Sequence, residues 1–192
     1  MKVEQFVMAY SAEQDRIRAL LPEGVSSLRP VLRINAEIWD DARAHLEFNT
    51  AVEKNGLRGW LNIAHWSDAP FERHGQTVLF TPAFLELSFT GPAIEGGCPA
   101  EAENAGCWFL GATETLRPPE TITAHKEFCD CRFQWKFTSA DAHGVSLGKT
   151  LPAIPQDVKN RYPKRPLTAP SAAAIACAQV LGCYRVTFER SV

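Results

Sequence analysis

A single stretch of the sequence, residues 45–66, contains the side chains best suited to acid–base chemistry on a small ligand. Its carboxylate, Glu47, can accept or donate a proton and is the candidate catalytic residue. The candidate ligand-binding residues around it are His45, Asn49, Trp60, Asn62 and Trp66. A solvated surface rarely carries two tryptophans, so this mixture of carboxylate, amides and indoles is typical of a ligand-cavity wall. The alternative is a partly covered outer face with aromatic anchors.

A β-hairpin must position these side chains. Two runs of alternating polarity flank Asn55 and Gly56, the dipeptide that most readily supplies the two positive φ values of a type I′ turn. A two-residue loop fixes a register that pairs Glu53 with Arg58, Asn49 with Asn62, Phe48 with Ile63 and Glu47 with Ala64. The opposite charges of the first pair support this register.

The predicted register divides the hairpin into two faces. The apolar face is expected to carry Leu46, Phe48, Thr50, Val52, Leu61, Ile63 and His65. The polar face is expected to carry His45, Glu47, Asn49, Ala51, Glu53, Arg58, Trp60, Asn62, Ala64 and Trp66.

The composition is that of an ordinary globular chain. With 192 residues, of which 45% are hydrophobic and 22% charged, the sequence suits one domain over residues 1–192 and excludes general disorder. A net charge of −2, with dispersed lysines and arginines, gives no electrostatic footprint for nucleic acid. The first residues lack a signal-peptide pattern, and no stretch approaches about 18 consecutive apolar residues. We therefore expect a cytoplasmic protein with no membrane partner.

The sequence lacks the common cofactor and metal motifs. No G-x-G-x-x-G, P-loop or H-E-x-x-H pattern occurs, and none of the six cysteines forms a C-x-x-C pair. We predict no cofactor and no metal.

The remaining segments predict a sheet-rich domain. Strands are expected at residues 4–10, 28–39, 107–116, 122–137 and 183–190. Helices are expected after an N-cap at Ser11 and over residues 171–182. In the second of these strands, Arg33, Asn35 and Glu37 share one face. This inventory predicts an α+β fold, with a large curved antiparallel β-sheet or barrel and a few short helices.

Residues 6–38 and 45–68 resemble segments of the acetoacetate decarboxylase family. The first segment has a strand that ends in Tyr10, a helix that ends in Leu-Leu-Pro and then a second strand. The second has a strand bearing Glu47, an Asn-Gly turn, and a strand that closes on a short acidic turn. The final helix and the Tyr184 strand also sit where the family ends. The resemblance implies an acetoacetate decarboxylase-like fold, a small-molecule carboxylate or oxo-acid as ligand, a site glutamate at Glu47 and a homo-oligomer.

The lysines of that family have no counterpart at the expected place. In the family, one lysine forms a Schiff base with the oxo-acid, and a second lysine beside it lowers its pKa. The Gly-Arg-Glu and Pro-Lys-Lys stretch should follow the hairpin, yet residues 69–125 contain no lysine. Lys126 or Lys136 can supply the amine from a different strand if either side chain points into the cavity.

Three hypotheses for function follow. The first is a lyase that does not use the Schiff-base lysine, in which Glu47 acts as general acid or base on a small carboxylate or oxo-acid with help from His45, Asn49 or Asn62. The second is a non-catalytic small-molecule-binding protein that keeps the cavity. The third is a scaffold whose polar hairpin face meets another subunit.

Overall fold

Strands with alternating side-chain polarity make up most of the structure. The computed structural model describes residues 1–92, 107–110, 114–117, 122–137, 152–162 and 164–191. The strands are β1 (Lys2–Ser11), β2 (Ser26–Trp39), β3 (Arg43–Lys54), β4 (Leu57–Ser67), β5 (Phe71–His74), β6 (Thr77–Phe80), β7 (Leu85–Thr90), β8 (Cys107–Leu110), β9 (Glu114–Arg117), β10 (Glu127–Phe128), β11 (Asp130–Trp135), β12 (Lys159–Asn160) and β13 (Gln179–Glu189). The helices are α1 (Gln14–Arg18) and α2 (Ala169–Ala174). Among the described residues, no helix has both the length and the apolar character that a membrane crossing needs.

The strands form two sheets. The large sheet has the order β10-β13-β1-β2-β3-β4-β8-β9, with β12 added on β4, and the small sheet has the order β11-β7-β6-β5. Every adjacent pair is antiparallel except β4 with β8. The predicted α+β class, dominated by a large curved antiparallel sheet, is confirmed, and the large sheet is open within the described residues.

The main core lies between the two sheets. The ring of Phe6 on β1 lies 5.9 Å from that of Phe80 and 5.0 Å from that of Phe89, both on the small sheet. On β2, Leu32 and Ile34 are completely buried on the same side. Burial of these large apolar side chains is the main force that holds the sheets together.

The hairpin turn forms at the predicted place. Asn55 and Gly56 have φ values of 52° and 76°, as a type I′ turn requires. The predicted pairs nearest the turn, Glu53 with Arg58 and Asn49 with Asn62, are confirmed.

Beyond Asn49 the predicted register is wrong. A β-bulge leaves Ile63 without a paired residue, so that Phe48 faces Ala64 and Glu47 faces His65. One extra residue reverses the side-chain alternation of β4 from this point on. Ala64, His65 and Trp66 therefore project from the side of the sheet opposite to the predicted one. The neighbours of Trp66 and His65 show this directly.

Trp66 and His65 have exchanged faces relative to the prediction. Trp66 is 7% exposed in the main core, its ring lies 4.9 Å from that of Phe84, and its Nε1 donates a hydrogen bond to Asp157 Oδ2 at 2.5 Å. His65 instead lies beside Glu47 on the opposite side of the sheet. The bulge thereby buries a large indole in the core and places a second imidazole in the polar cluster.

The predicted helix over residues 171–182 is too long, because only residues 171–174 are helical and residues 179–182 belong to β13. A capping box between Thr168 and Ser171 begins α2 at Ala169, and the helix ends at Ala174. Residues from Gln179 onward pair with β1 along its whole length. The antiparallel ladder outweighs the helix propensity of a short alanine-rich segment, whose contribution per residue is small.

The predicted N-cap at Ser11 is also wrong. Ser11 is the last residue of β1, and its Oγ donates a hydrogen bond to the Gln179 carbonyl oxygen at 3.4 Å. The N-cap of α1 is Glu13, whose side chain makes no capping hydrogen bond. Pairing of β1 with β13 continues through Ser11, so the chain cannot turn into the helix there.

Candidate functional site

The large sheet has a second face, opposite the main core, on which buried polar side chains collect. Its nearly inaccessible polar residues are Gln5, Arg33, Asn35, Glu37, Asn49 and Asn62. The same side also carries Val7, Glu47, Trp60, His65 and Tyr184. We call this surface the buried polar face. Moving polar groups out of water costs free energy, so such a concentration of buried polar side chains is typical of a binding site.

Cross-strand pairing arranges these residues in rows. One row runs from Tyr184 on β13 through Val7, Asn35 and Glu47 to His65 on β4. Directly paired residues project to the same side of a sheet, within about 5 Å of each other. Register and bulge together therefore place Glu47 between an amide and an imidazole.

Arg33 lies at the centre of the buried polar face. Its Nη2 is 3.5 Å from the Tyr184 hydroxyl, and its guanidinium carbon is 5.3 Å from the centre of the Trp60 ring. These two neighbours come from β13 and β4, four strands apart, a distance of roughly 19 Å in a flat sheet. The sheet must therefore curl around Arg33, which makes the buried polar face concave.

Further positive charge surrounds the same aromatic rings. The Lys126 Nζ lies 5.1 Å from the centre of the Tyr184 ring, and the Arg29 guanidinium carbon lies 5.8 Å from the centre of the Trp60 ring. Ile122 and Ala124 pack on the apolar residues of this side, so the chain that carries Lys126 crosses the buried polar face. An arginine among aromatic rings can bind a carboxylate through two parallel hydrogen bonds.

Some buried polar atoms of this face have no hydrogen-bond partner among the described residues, and they include Asn35 Oδ1, Trp60 Nε1 and His65 Nδ1. Leaving such a group unsatisfied costs about 1–3 kcal/mol, which a polar ligand can recover. Their common location on one concave face favours a ligand site over a plain structural surface.

Glu47 belongs to a cluster of titratable groups. Its Oε1 lies 3.5 Å from His45 Nε2, and the two side chains are 21% and 13% exposed. The His45 ring lies 5.5 Å from the His65 ring and stacks on Trp39 at 5.4 Å. A carboxylate and an imidazole at this distance can exchange a proton with a ligand and with each other.

Asn49 and Asn62 form a hydrogen-bonded pair that holds a further arginine. Asn62 Nδ2 donates to Asn49 Oδ1 and to the Ala64 carbonyl oxygen, both at 3.1 Å. Asn62 Oδ1 accepts a hydrogen bond from Arg161 Nε at 3.1 Å. The amides thereby bring Arg161, which directly follows β12, to the buried polar face.

His65 is neutral at neutral pH. Burial is the largest cause that lowers the pKa of His65 to about 4, and the positive charge of Arg161 is the next. His45 and Lys159 lower this pKa further, whereas the negative charge of Glu47 raises it.

We expect NMR titration of the His65 imidazole to show a midpoint near pH 4, and Arg161→Gln to raise that midpoint. Because the folded pKa lies below the usual 6.5, His65 adds stability above pH 6.5 that is lost as the pH falls towards 4. A midpoint near 6.5 in both proteins would contradict this arrangement.

The structure places five of the six predicted site residues together. His45, Glu47, Asn49, Trp60 and Asn62 share the buried polar face, whereas Trp66 lies in the main core. Their roles in catalysis or binding stay predictions.

Sequence reasoning assigned no role to Arg33, Asn35 or Tyr184. The alternation of β2 did place Arg33 and Asn35 on one face, but nothing in the sequence showed that this face is buried. Of the two candidate lysines, Lys126 reaches the buried polar face, and Lys136 instead pairs with Glu86 at 2.6 Å on the small sheet. No group of three His, Cys, Asp or Glu within the described ranges is arranged to hold a metal ion.

The fold is shared with solved structures of low sequence identity. Acetoacetate decarboxylase from Legionella pneumophila aligns with a TM-score of 0.63 at 10% identity, over 97% of this chain and 81% of its own. A second acetoacetate decarboxylase structure aligns with a TM-score of 0.60 at 11% identity, over 97% and 84% of the two chains. The enduracididine biosynthesis enzyme MppR, complexed with pyruvate, aligns with a TM-score of 0.52 at 11% identity, over 97% and 84%. No family model matches the sequence, and no curated protein sequence matches it. The fold predicted from the resemblance is confirmed.

Proposed function

We propose that this chain, which has the acetoacetate decarboxylase-like fold, binds a small oxo-acid on the buried polar face and acts on it as a lyase. The observation that carries the proposal is Arg33, which is 8% exposed at the centre of a concave surface and contacts both Tyr184 and Trp60. A carboxylate is the ligand group that matches a buried guanidinium in charge and in geometry. The pyruvate complex of MppR supports a ligand of this class, because pyruvate is itself a small oxo-acid.

The neighbouring residues supply what a reaction next to a carbonyl group needs. In the reaction, the bond between the carbon next to the carbonyl group and its substituent breaks, and the substituent leaves as a neutral molecule such as carbon dioxide. The electron pair of that bond moves to the oxo oxygen, and Lys126 offers positive charge to the oxygen that becomes negative. Glu47, with His45 at 3.5 Å, can then give a proton to the carbon that has lost its substituent. These roles use residues of one concave face and no lysine imine.

A binding experiment tests the proposal. Isothermal calorimetry with pyruvate, 2-oxobutanoate and 2-oxoglutarate should detect binding to the wild-type protein, and Arg33→Gln should weaken it at least about tenfold. The reason is that truncating one partner of a buried charge pair costs several kcal/mol, about 2–5. The matched control is Arg58→Gln, because Arg58 is an exposed arginine at the far end of the hairpin. Absence of binding, or equal binding to both variants, would overturn the proposal.

A lysine imine is a second candidate chemistry, and the position of Lys126 favours testing it. In that reaction the Lys126 amine adds to the oxo carbon and water leaves, which forms a C=N bond that borohydride reduces to a stable secondary amine. Trapping with the same oxo-acids, followed by intact mass and peptide mapping, should label Lys126 if imine chemistry operates. Lys126→Arg should then abolish the adduct, whereas Lys136→Arg should retain it. An unlabelled, folded protein would leave Glu47 as the candidate acid–base group without an imine.

A further inference from the structure

We infer that the ligand is an oxo-dicarboxylic acid, whose second carboxylate binds Arg161 where β12 meets the buried polar face. This inference rests on the proposed function, in which Arg33 holds the first carboxylate. It assigns Arg161 as the residue that sets specificity for a second negative charge.

The sheet fixes the backbone positions from which the two arginines are held. Arg33 pairs with Asn49, and Asn49 pairs with Asn62, whose Oδ1 accepts the hydrogen bond from Arg161 Nε. Two strand spacings place Arg33 and Asn62 about 10 Å apart along this row. A dicarboxylate of four or five carbons with a guanidinium at each end spans roughly 12 Å. The backbone separation of Arg33 and Asn62 is thus of the same order as the span of a small dicarboxylate between two guanidinium groups.

Arg161 is held in a way that presents its charge to a ligand. Asn62 accepts a hydrogen bond only from Nε, which leaves the two Nη groups to bind other partners. In the part of the chain that the structure describes, Arg161 makes no ion pair. A guanidinium stays charged at all physiological pH values, and a half-buried one gains more from a carboxylate partner than an exposed one does.

The surrounding groups also favour an anion at this end. His65 has its buried Nδ1 without a partner among the described residues, and Lys159 lies opposite it on β12. Glu47 carries the nearest negative charge and lies in the adjacent row, where His45 approaches it at 3.5 Å. The other buried carboxylate of the face, Glu37, is already bound by Arg190 at 2.8 and 2.9 Å. Positive groups thus outnumber negative ones around the space between Arg33 and Arg161.

Pairs of ligands that differ by one carboxylate test the inference. Calorimetry should compare 2-oxoglutarate with 2-oxopentanoate, and oxaloacetate with 2-oxobutanoate. The wild-type protein should bind each dicarboxylate at least about tenfold more tightly than its partner. Arg161→Gln keeps a side chain that can hydrogen-bond Asn62 but lacks the charge, and it should remove this preference. Arg58→Gln should retain it.

The outcomes separate this inference from the proposed function. If both ligands of a pair bind equally and Arg33→Gln weakens both, the second carboxylate site is wrong and the oxo-acid site stands. If the preference exists but survives Arg161→Gln, another residue holds the second carboxylate and the assignment is wrong. If no ligand binds, the proposed function fails, and this inference fails with it.

Discussion

Replacing Glu47 by Gln should lower turnover of the oxo-acid substrate about 100-fold or more, while its dissociation constant changes little. A glutamine keeps the size and hydrogen-bonding reach of Glu47 but cannot transfer a proton, and general acid–base catalysis typically contributes 10²–10⁴-fold. The measurement follows loss of the oxo-acid and appearance of product by NMR, alongside calorimetry on the same preparation.

Glu53→Gln is the matched control for this experiment. Glu53 lies on the same strand, pairs with Arg58 near the turn and is partly exposed, so its replacement should leave turnover unchanged. Loss of affinity alone in Glu47→Gln would identify a non-catalytic binder. A change only in self-assembly would identify a scaffold. Either result, or full activity in Glu47→Gln, would contradict the lyase proposal.

Replacing Arg190 by Gln should reduce the free energy of unfolding by about 3 kcal/mol, because it leaves Glu37 charged and buried without its guanidinium. Glu37 accepts two hydrogen bonds from Arg190, one from Trp39 Nε1 at 2.7 Å and one from Gln5 Nε2 at 3.0 Å. Burial alone would raise the pKa of Glu37, but Arg190, Trp39 and Gln5 outweigh it and lower the pKa to about 2. Urea unfolding at neutral pH measures the change.

The pH dependence gives the same interaction a second, independent test. A lowered carboxyl pKa stabilises the fold above the usual value of 4.5, and this stability is lost as the pH falls towards 2. The wild-type protein should lose about 3 kcal/mol across that range through Glu37, and Arg190→Gln should lose much less. The control is Arg43→Gln, whose exposed ion pair with Asp68 is screened by water and should affect stability little. A flat wild-type profile between pH 4.5 and 2 would contradict this account of Glu37.

The sequence predicted local structure well where one residue pattern dictates it. Asn55 and Gly56 specify a type I′ turn through their positive φ values, and the turn fixes the nearest pairs. The fold resemblance rested on whole segments with several elements in order, so it survived errors in single elements. The single-domain organisation over residues 1–192 and assembly into a homo-oligomer stay predictions.

The site itself could be predicted only in part, because its remaining determinants are not local. The bulge at Ile63 exchanges the faces of His65 and Trp66, and strict alternation along β4 gives no sign of it. Arg33 meets Tyr184 only because the sheet curls, which depends on the sum of many strand twists. Arg161 arrives from a proline-rich connection whose path the sequence does not encode locally.

A crystal structure of the protein with the oxo-acid that binds most tightly tests the central claim most directly. We expect a carboxylate of the ligand within about 3 Å of the Arg33 guanidinium, on the concave surface between Tyr184 and Trp60. A ligand bound elsewhere while Arg33 stays in contact only with protein groups would contradict it.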